Sequence, residues 1–257
     1  MTTRRDRNSR LIRRLNRPQP RAVKLARRLL EPFPTIYCAT QRLRRPRKAV
    51  VDKRTSLLIE GYSGSANTFL VLAMQVANPE IRIASHVHSA AHVRRAVQLG
   101  VPSVVVVREP IGALTSGLGR FPLMPVGEAL DAYAVFYERL VPDASRILVV
   151  SFNDVTSPHF DEVVTRVNER FGTTFASVDP NDPDIRDELF RAWERLGGRR
   201  SDIEADPGAP PDERAAAAKA AVSAELESQR HVEALARARR ARQAILAAAG
   251  AAPLRPS

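Results

Sequence analysis

The chain has 257 residues, 44% of them apolar and 26% charged, a globular composition long enough to bury one substantial core. Its net charge of +12 is uneven: residues 1–54 hold 18 Lys/Arg against 3 Asp/Glu, so the basicity belongs to a leader and the remainder is slightly acidic. No run approaches the roughly 20 apolar residues of a membrane span, no apolar stretch of a secretory signal is present, and the sole cysteine, Cys38, excludes an intrachain disulfide, so a cytoplasmic protein is expected.

Three regions are expected: a basic, partly disordered extension over 1–54, an α/β domain over 55–200, and a mobile connector with a long C-terminal helix over 201–257. The first twenty residues, mostly Arg, Asn, Thr and Pro, offer nothing to offset the entropy of ordering. Ala22 to Leu30 has apolar residues at helical spacing with Lys24, Arg27 and Arg28 between them. Such a helix either packs on the domain or meets an anionic membrane surface, and the lack of interleaved aromatics argues against nucleic acid. Arg42 to Lys48, interrupted by Pro46, reads as a linker.

Leu57 to Leu70 breaks from an apolar run into small residues and then resumes as an apolar helix, so it reads as strand, tight loop and helix. That junction aims backbone N–H groups and a helix dipole at one spot, a cradle for phosphate or sulfate. The helix runs from Asn67 to Val76 and stops before Asn78-Pro79. A short strand, Ile81 to Ala84, leads into a polar turn at Ser85-His86-Val87-His88, and a helix from Ala90 to Leu99 closes at Gly100. Ser103 to Val107 is a β-branched run typical of a strand buried on both faces, ended by Arg108-Glu109-Pro110. Helices follow over Gly112 to Leu118 and Val126 to Leu140, then a strand over Ile147 to Phe152. A helix over Pro158 to Phe171, a loop over Val178 to Asp184, and a helix over Ile185 to Leu196 with Trp193 on the core come next. From Pro211 to about Ala249 no breaker interrupts a helical pattern. Strands alternating with helices predict a central parallel sheet flanked by helices, with ligands outside the carboxyl ends of the strands.

Several of these residues together resemble the P-loop sulfotransferases, which take a sulfuryl group from 3′-phosphoadenosine 5′-phosphosulfate (PAPS). Gly61-Tyr62-Ser63-Gly64-Ser65-Ala66-Asn67-Thr68-Phe69-Leu70 stands where many bacterial members have G-[FY]-P-R-S-G-N-T-[FW]-L. Arg108 with Ser116 matches the 3′-phosphate motif, Ser85-His86 the Thr/Ser-His pair, and Phe152-Asn153-Asp154 a later Tyr-Glu-Asp-like turn. The resemblance spans roughly Ser56 to Phe175 and implies a P-loop-type three-layer α/β fold.

It also implies roles. Ser63, Gly64, Ser65, Ala66, Asn67 and Thr68 would hold the 5′-phosphosulfate, and Arg108 and Ser116 the 3′-phosphate. Phe69 either stacks on adenine or joins the core, and Arg108 has an alternative as an ion-pair partner of Glu109 or Asp154. His86 is the candidate base and His88 the second, one of them serving to position the acceptor. No metal is required. The chain departs from the family at Ser63, Gly64 and Ala66, which replace Pro, a basic residue and Gly. Arg82 or Arg120 could supply the missing cation. The expected reaction is sulfuryl transfer to a hydroxyl of a carbohydrate or glycolipid-like acceptor, by a protein that is cytoplasmic or peripheral at a membrane. The alternatives are a P-loop kinase or NTPase with Asp154 holding Mg²⁺, and a nucleotide-binding scaffold that has lost the chemistry.

Overall fold

In the computed structural model, the described residues are 26, 29–44, 49–120, 124–157, 160–195 and 213–250. Among them β1 (Leu57–Gly61), β2 (Ile83–Ser85), β3 (Ser103–Val107) and β4 (Leu148–Ser151) form one sheet in the order β2-β1-β3-β4, each neighbouring pair parallel. Leu57, Ile59, Val104, Val106 and Val150 face one side of the sheet, and Leu58, Val105, Val107 and Val149 the other. Both sides are covered, which is why the strands read as unbroken apolar runs.

The helices are α1 (Pro34–Arg44), α2 (Asn67–Ala77), α3 (Ala90–Gln98), α4 (Pro110–Arg120), α5 (Val126–Glu138), α6 (Phe152–Thr156), α7 (Phe160–Phe171), α8 (Pro183–Arg195), α9 (Glu213–Leu226) and α10 (Val232–Ala248). Residues of α2, α7 and α8 cover the Ile59 side, and those of α1, α3, α4, α5 and α10 cover the Leu58 side, giving the three-layer α/β fold. Trp193 is partly buried on the first of these cores.

Two features differ from expectation. A helix, α1, occupies part of the supposed leader: Tyr37, Cys38 and Gln41 are buried, α1 packs on α3, and Val50 and Val51 are fully buried. The folded body therefore begins before residue 55. Pro32 and Pro34 with the arginines beyond Gln41 mask the apolar spacing in the sequence. Burial pushes the Cys38 thiol up to about 12, so it is an inert core residue.

At the other end, the long C-terminal helix α10 is present, but the helical segment before it is interrupted at 227–231 by a 3₁₀ turn over Gln229–His231. Here α9 packs on α4 while α10 packs along α5, so the chain must turn between them, with Leu226 and Leu235 both buried. The amphipathic segment Ala22 to Leu30 lies mostly outside the described residues, as do Pro158 and the stretch 196–212.

The end of β4 shows how sequence terminates a strand and starts a helix. The Ser151 hydroxyl accepts from the Asp154 amide at 3.1 Å while Asp154 Oδ2 accepts from the Ser151 amide at 3.0 Å, a capping box that opens α6. Asp154 also lies 3.7 Å from Arg166. We expect Asp154→Ala to lower stability by about 1–2 kcal/mol, measured as the urea midpoint, because it strands the Ser151 amide.

Candidate functional site

The loop between β1 and α2 is shaped by two left-handed residues on either side of Ser65: Gly64 at φ +86° and Ala66 at φ +64°. Alternating handedness turns successive N–H groups toward one concavity, an anion-binding nest. Ala66 is the N-cap of α2 and no side chain caps the helix, so its first amides are left to a ligand or solvent. Asn67 is 4% exposed and donates to the carbonyls of Gly61 at 3.0 Å and Tyr62 at 3.3 Å, bracing the loop from inside. A Cβ at Gly61 would lie 2.5 Å from the Val106 carbonyl oxygen and 2.6 Å from Asn67 Oδ1, so this close approach needs glycine.

The loop is also pressed against α4. A Cβ on Gly64 would lie 2.1 Å from the Ala113 carbonyl oxygen, and one on Gly117 would lie 3.3 Å from Ser63. Ser116 is buried in the same part of α4, one turn beyond Gly112, over which the Arg108 side chain lies. Arg108 donates to the Gly64 carbonyl at 2.9 Å and its guanidinium carbon sits 3.8 Å from the centre of the Phe152 ring. The cation at the end of β3 thus reaches the loop itself.

Beneath the loop lie three tyrosines. The Tyr62 amide donates to the Tyr137 hydroxyl, which donates to the Val106 carbonyl at 2.9 Å; Tyr133 donates to the Arg108 carbonyl. Burial pushes all three phenols up, Tyr137 to about 12, so they remain neutral donors. They fix the ends of β1 and β3 relative to α5.

The turn after β2 carries both candidate bases. His86 and His88 have φ of +65° and +52°, a conformation bulky residues rarely adopt. It is held by Glu60 of β1, a fully buried carboxylate that accepts from the amides of Val87 at 2.8 Å and His88 at 3.1 Å and from His92 Nδ1 at 2.8 Å. The Val51 amide donates to His92 Nε2 at 2.8 Å, so that nitrogen has no proton and the His92 ring is neutral with its proton on Nδ1. Burial acts to raise the Glu60 carboxyl. The hydrogen bonds from His92 and the Val87 amide, together with the His88 ring, outweigh it and hold the carboxyl down at about 2.

The two histidines then separate by partner. His88 Nδ1 lies 2.8 Å from the Gly61 carbonyl, which can only accept, so His88 is a donor that ties the turn to the loop. His86 Nε2 lies 2.9 Å from the Thr68 hydroxyl on the first turn of α2. With that hydroxyl donating, Nε2 carries the basic lone pair beside the cradle.

Of the residues expected from sequence, Ser63, Gly64, Ser65, Ala66, Asn67, Thr68, His86, Arg108 and Ser116 lie at the carboxyl edge of the sheet, on or beside the loop. Phe69 packs edge-on to Phe160, ring centres 6.1 Å apart, against the core. Arg82 is at the opposite, amino edge: its backbone carbonyl accepts from Ser56, before β1, and its guanidinium pairs with Asp52 at 2.9 Å. It is not the missing cation. The Arg120 side chain lies outside the described residues. Asp154 is taken up by its capping box and by Arg166. Glu60 and His92 were not foreseen, although a lone carboxylate in an apolar strand signals a buried partner. Among the described residues no group of three or more His, Cys, Asp or Glu is arranged to hold a metal ion, and no helix is long and apolar enough to cross a membrane. Comparison with protein-family models, curated proteins and solved structures finds no match.

Proposed function

We propose that the chain is a PAPS-dependent sulfotransferase acting on a hydroxyl of a carbohydrate or glycolipid-like molecule. The observation that carries this reading is a convergence at one edge of the sheet. A left-handed loop precedes an uncapped helix N-terminus, Arg108 is bonded to that loop, and His86 is bonded to Thr68 in the first helical turn. The loop amides, those of Asn67 and Thr68 at the helix start included, suit the 5′-phosphosulfate, and Arg108 with Ser116 suits the 3′-phosphate. Arg108 also brings positive charge to a loop that Gly64 leaves without a basic side chain.

In the reaction the acceptor's hydroxyl replaces that of Thr68 at His86 Nε2, which takes its proton as the acceptor oxygen attacks sulfur. An O–S bond forms, the bond from sulfur to the phosphate oxygen breaks, and 3′,5′-adenosine diphosphate leaves with the electron pair. His88 and Glu60 act through His86 by holding its turn.

The test is a thermal shift by 3′,5′-adenosine diphosphate without Mg²⁺, together with transfer of labelled sulfate from PAPS to a panel of hydroxyl acceptors. We expect His86→Ala to cut transfer on the order of a hundredfold with nucleotide binding retained, and Arg108→Ala to weaken nucleotide binding about tenfold or more. Stabilisation by ATP that requires Mg²⁺ would move the reading to a kinase or NTPase. Tight binding without transfer to any acceptor, unaffected at His86, would make the protein a nucleotide-binding scaffold.

A further inference from the structure

Helix α1 buries one side and bares the other. Pro34, Tyr37, Cys38 and Gln41 face the body, while Ile36, Ala39 and Leu43, at spacings of three and four residues, are exposed. With Leu29 and Phe33 they form an apolar strip whose large members are 52–89% exposed, Leu43 the most. Isolated exposed leucines mean little, but Ile36, Ala39 and Leu43 aligned on one helix face, with Leu29 and Phe33 exposed just before the helix, make a contact surface. Arg42, next to Leu43, lines a cleft of about 320 Å³ together with Asp52, Lys53, Arg54, Arg95 and Leu99. Four cations thus meet one carboxylate there, and that carboxylate already pairs with Arg82.

We propose that α1 and the cleft beside it dock onto a lipid bilayer carrying anionic headgroups, the apolar strip entering the interface and the cleft receiving phosphate headgroups. Apolar side chains bordered by Lys and Arg are the composition of an interfacial helix. Nucleic acid would engage the cations but leaves Phe33, Ile36 and Leu43 without a partner. A second copy of the chain would cover the apolar strip but offers the cation cluster no anionic partner. The surface is separate from the transfer site, and the inference does not depend on the reaction. The helix nevertheless starts beside that site, since Glu31 accepts from Ser89, next to His88. Its other end, at Arg42, lies by the cleft, which is on the amino edge of the sheet with the Asp52–Arg82 pair.

The test is co-sedimentation of the full chain with vesicles of phosphatidylcholine and of phosphatidylcholine with phosphatidylglycerol, with free inorganic phosphate as competitor. We expect binding to the anionic vesicles that phosphate at moderate concentration does not displace. Phe33→Ser/Ile36→Ser/Leu43→Ser should lower it about tenfold or more at every salt concentration. Lys53→Gln/Arg54→Gln/Arg95→Gln should lower it about fivefold per charge at low salt and little at high salt. Both variants should melt as the wild type does, since the changed side chains are solvent-accessible. A full-length variant with Arg4, Arg5, Arg7, Arg10, Arg13 and Arg14 changed to Gln separates the leader's charge from this surface. The proposal is overturned if the wild type ignores anionic vesicles, or if the leader variant loses all binding while the two surface variants keep it. It is also overturned if the surface variants lose duplex DNA retention as strongly as vesicle binding, or if the triple serine variant abolishes a dimer seen by sedimentation.

Discussion

Replacing Glu60 by Gln lowers the stability of the chain by about 1–3 kcal/mol at neutral pH, read as a fall in the urea midpoint. The carboxylate is fully buried and takes three hydrogen bonds, from the Val87 and His88 amides and from His92. An amide of the same shape has one acceptor oxygen and must turn an NH₂ group toward a donor, so at least one buried group loses its partner. The pH dependence has a definite sign. The Glu60 carboxyl sits at about 2 against an ordinary 4.5, so its stabilising contribution is complete above the ordinary value and is lost as pH falls from about 4.5 toward 2. That contribution is on the order of 3 kcal/mol. Urea titrations of the wild type should therefore lose midpoint steeply across this acid window, and those of Glu60→Gln should show a shallower loss. Equal slopes would mean that another carboxylate governs acid unfolding. Because Glu60 holds the left-handed turn at His86 and His88, transfer should fall in the same variant at temperatures where it is still folded.

Installing the basic residue that the resemblance expects in the loop, Gly64→Arg, costs about 2–5 kcal/mol and does not restore a missing function. Gly64 has φ +86°, where a non-glycine residue is strained by about 1–2 kcal/mol. Its Cβ would also stand 2.1 Å from the Ala113 carbonyl oxygen, a backbone atom that no rotamer change can move aside. Overpacking of that kind adds about 1–3 kcal/mol. We expect a lower urea midpoint and loss of the thermal shift by 3′,5′-adenosine diphosphate, since the loop must lift from α4. A Gly64→Arg chain as stable as the wild type, with more transfer activity, would show that the loop adopts a different course when a cation is present.

Much of the site was legible in the residues. The turn of Gly61 to Thr68, the His86 turn and Arg108 at the end of a buried strand were all placed at the carboxyl edge by local signals. Strand periodicity, small residues at the break and abrupt polarity after Val107 suffice for that. The Phe69 alternatives remained open because an aromatic at the third helical position serves core and ligand equally well in sequence; in the structure its ring meets Phe160.

The alternation of strands and helices, the parallel sheet and the position of the loop can be read along the chain, because each depends on patterns within a dozen neighbouring residues. Which side chains meet depends on the packed fold. Glu60 finds its partners 27 to 32 residues away, Arg108 reaches a carbonyl 44 residues earlier, and Gly64 is constrained by the backbone of a later helix. That fold also sets Arg82 at the far edge of the sheet and turns a stretch of the basic leader into a packed helix. Such pairings follow from how layers stack on the sheet, and strand or helix periodicity carries no record of which faces come to lie against one another.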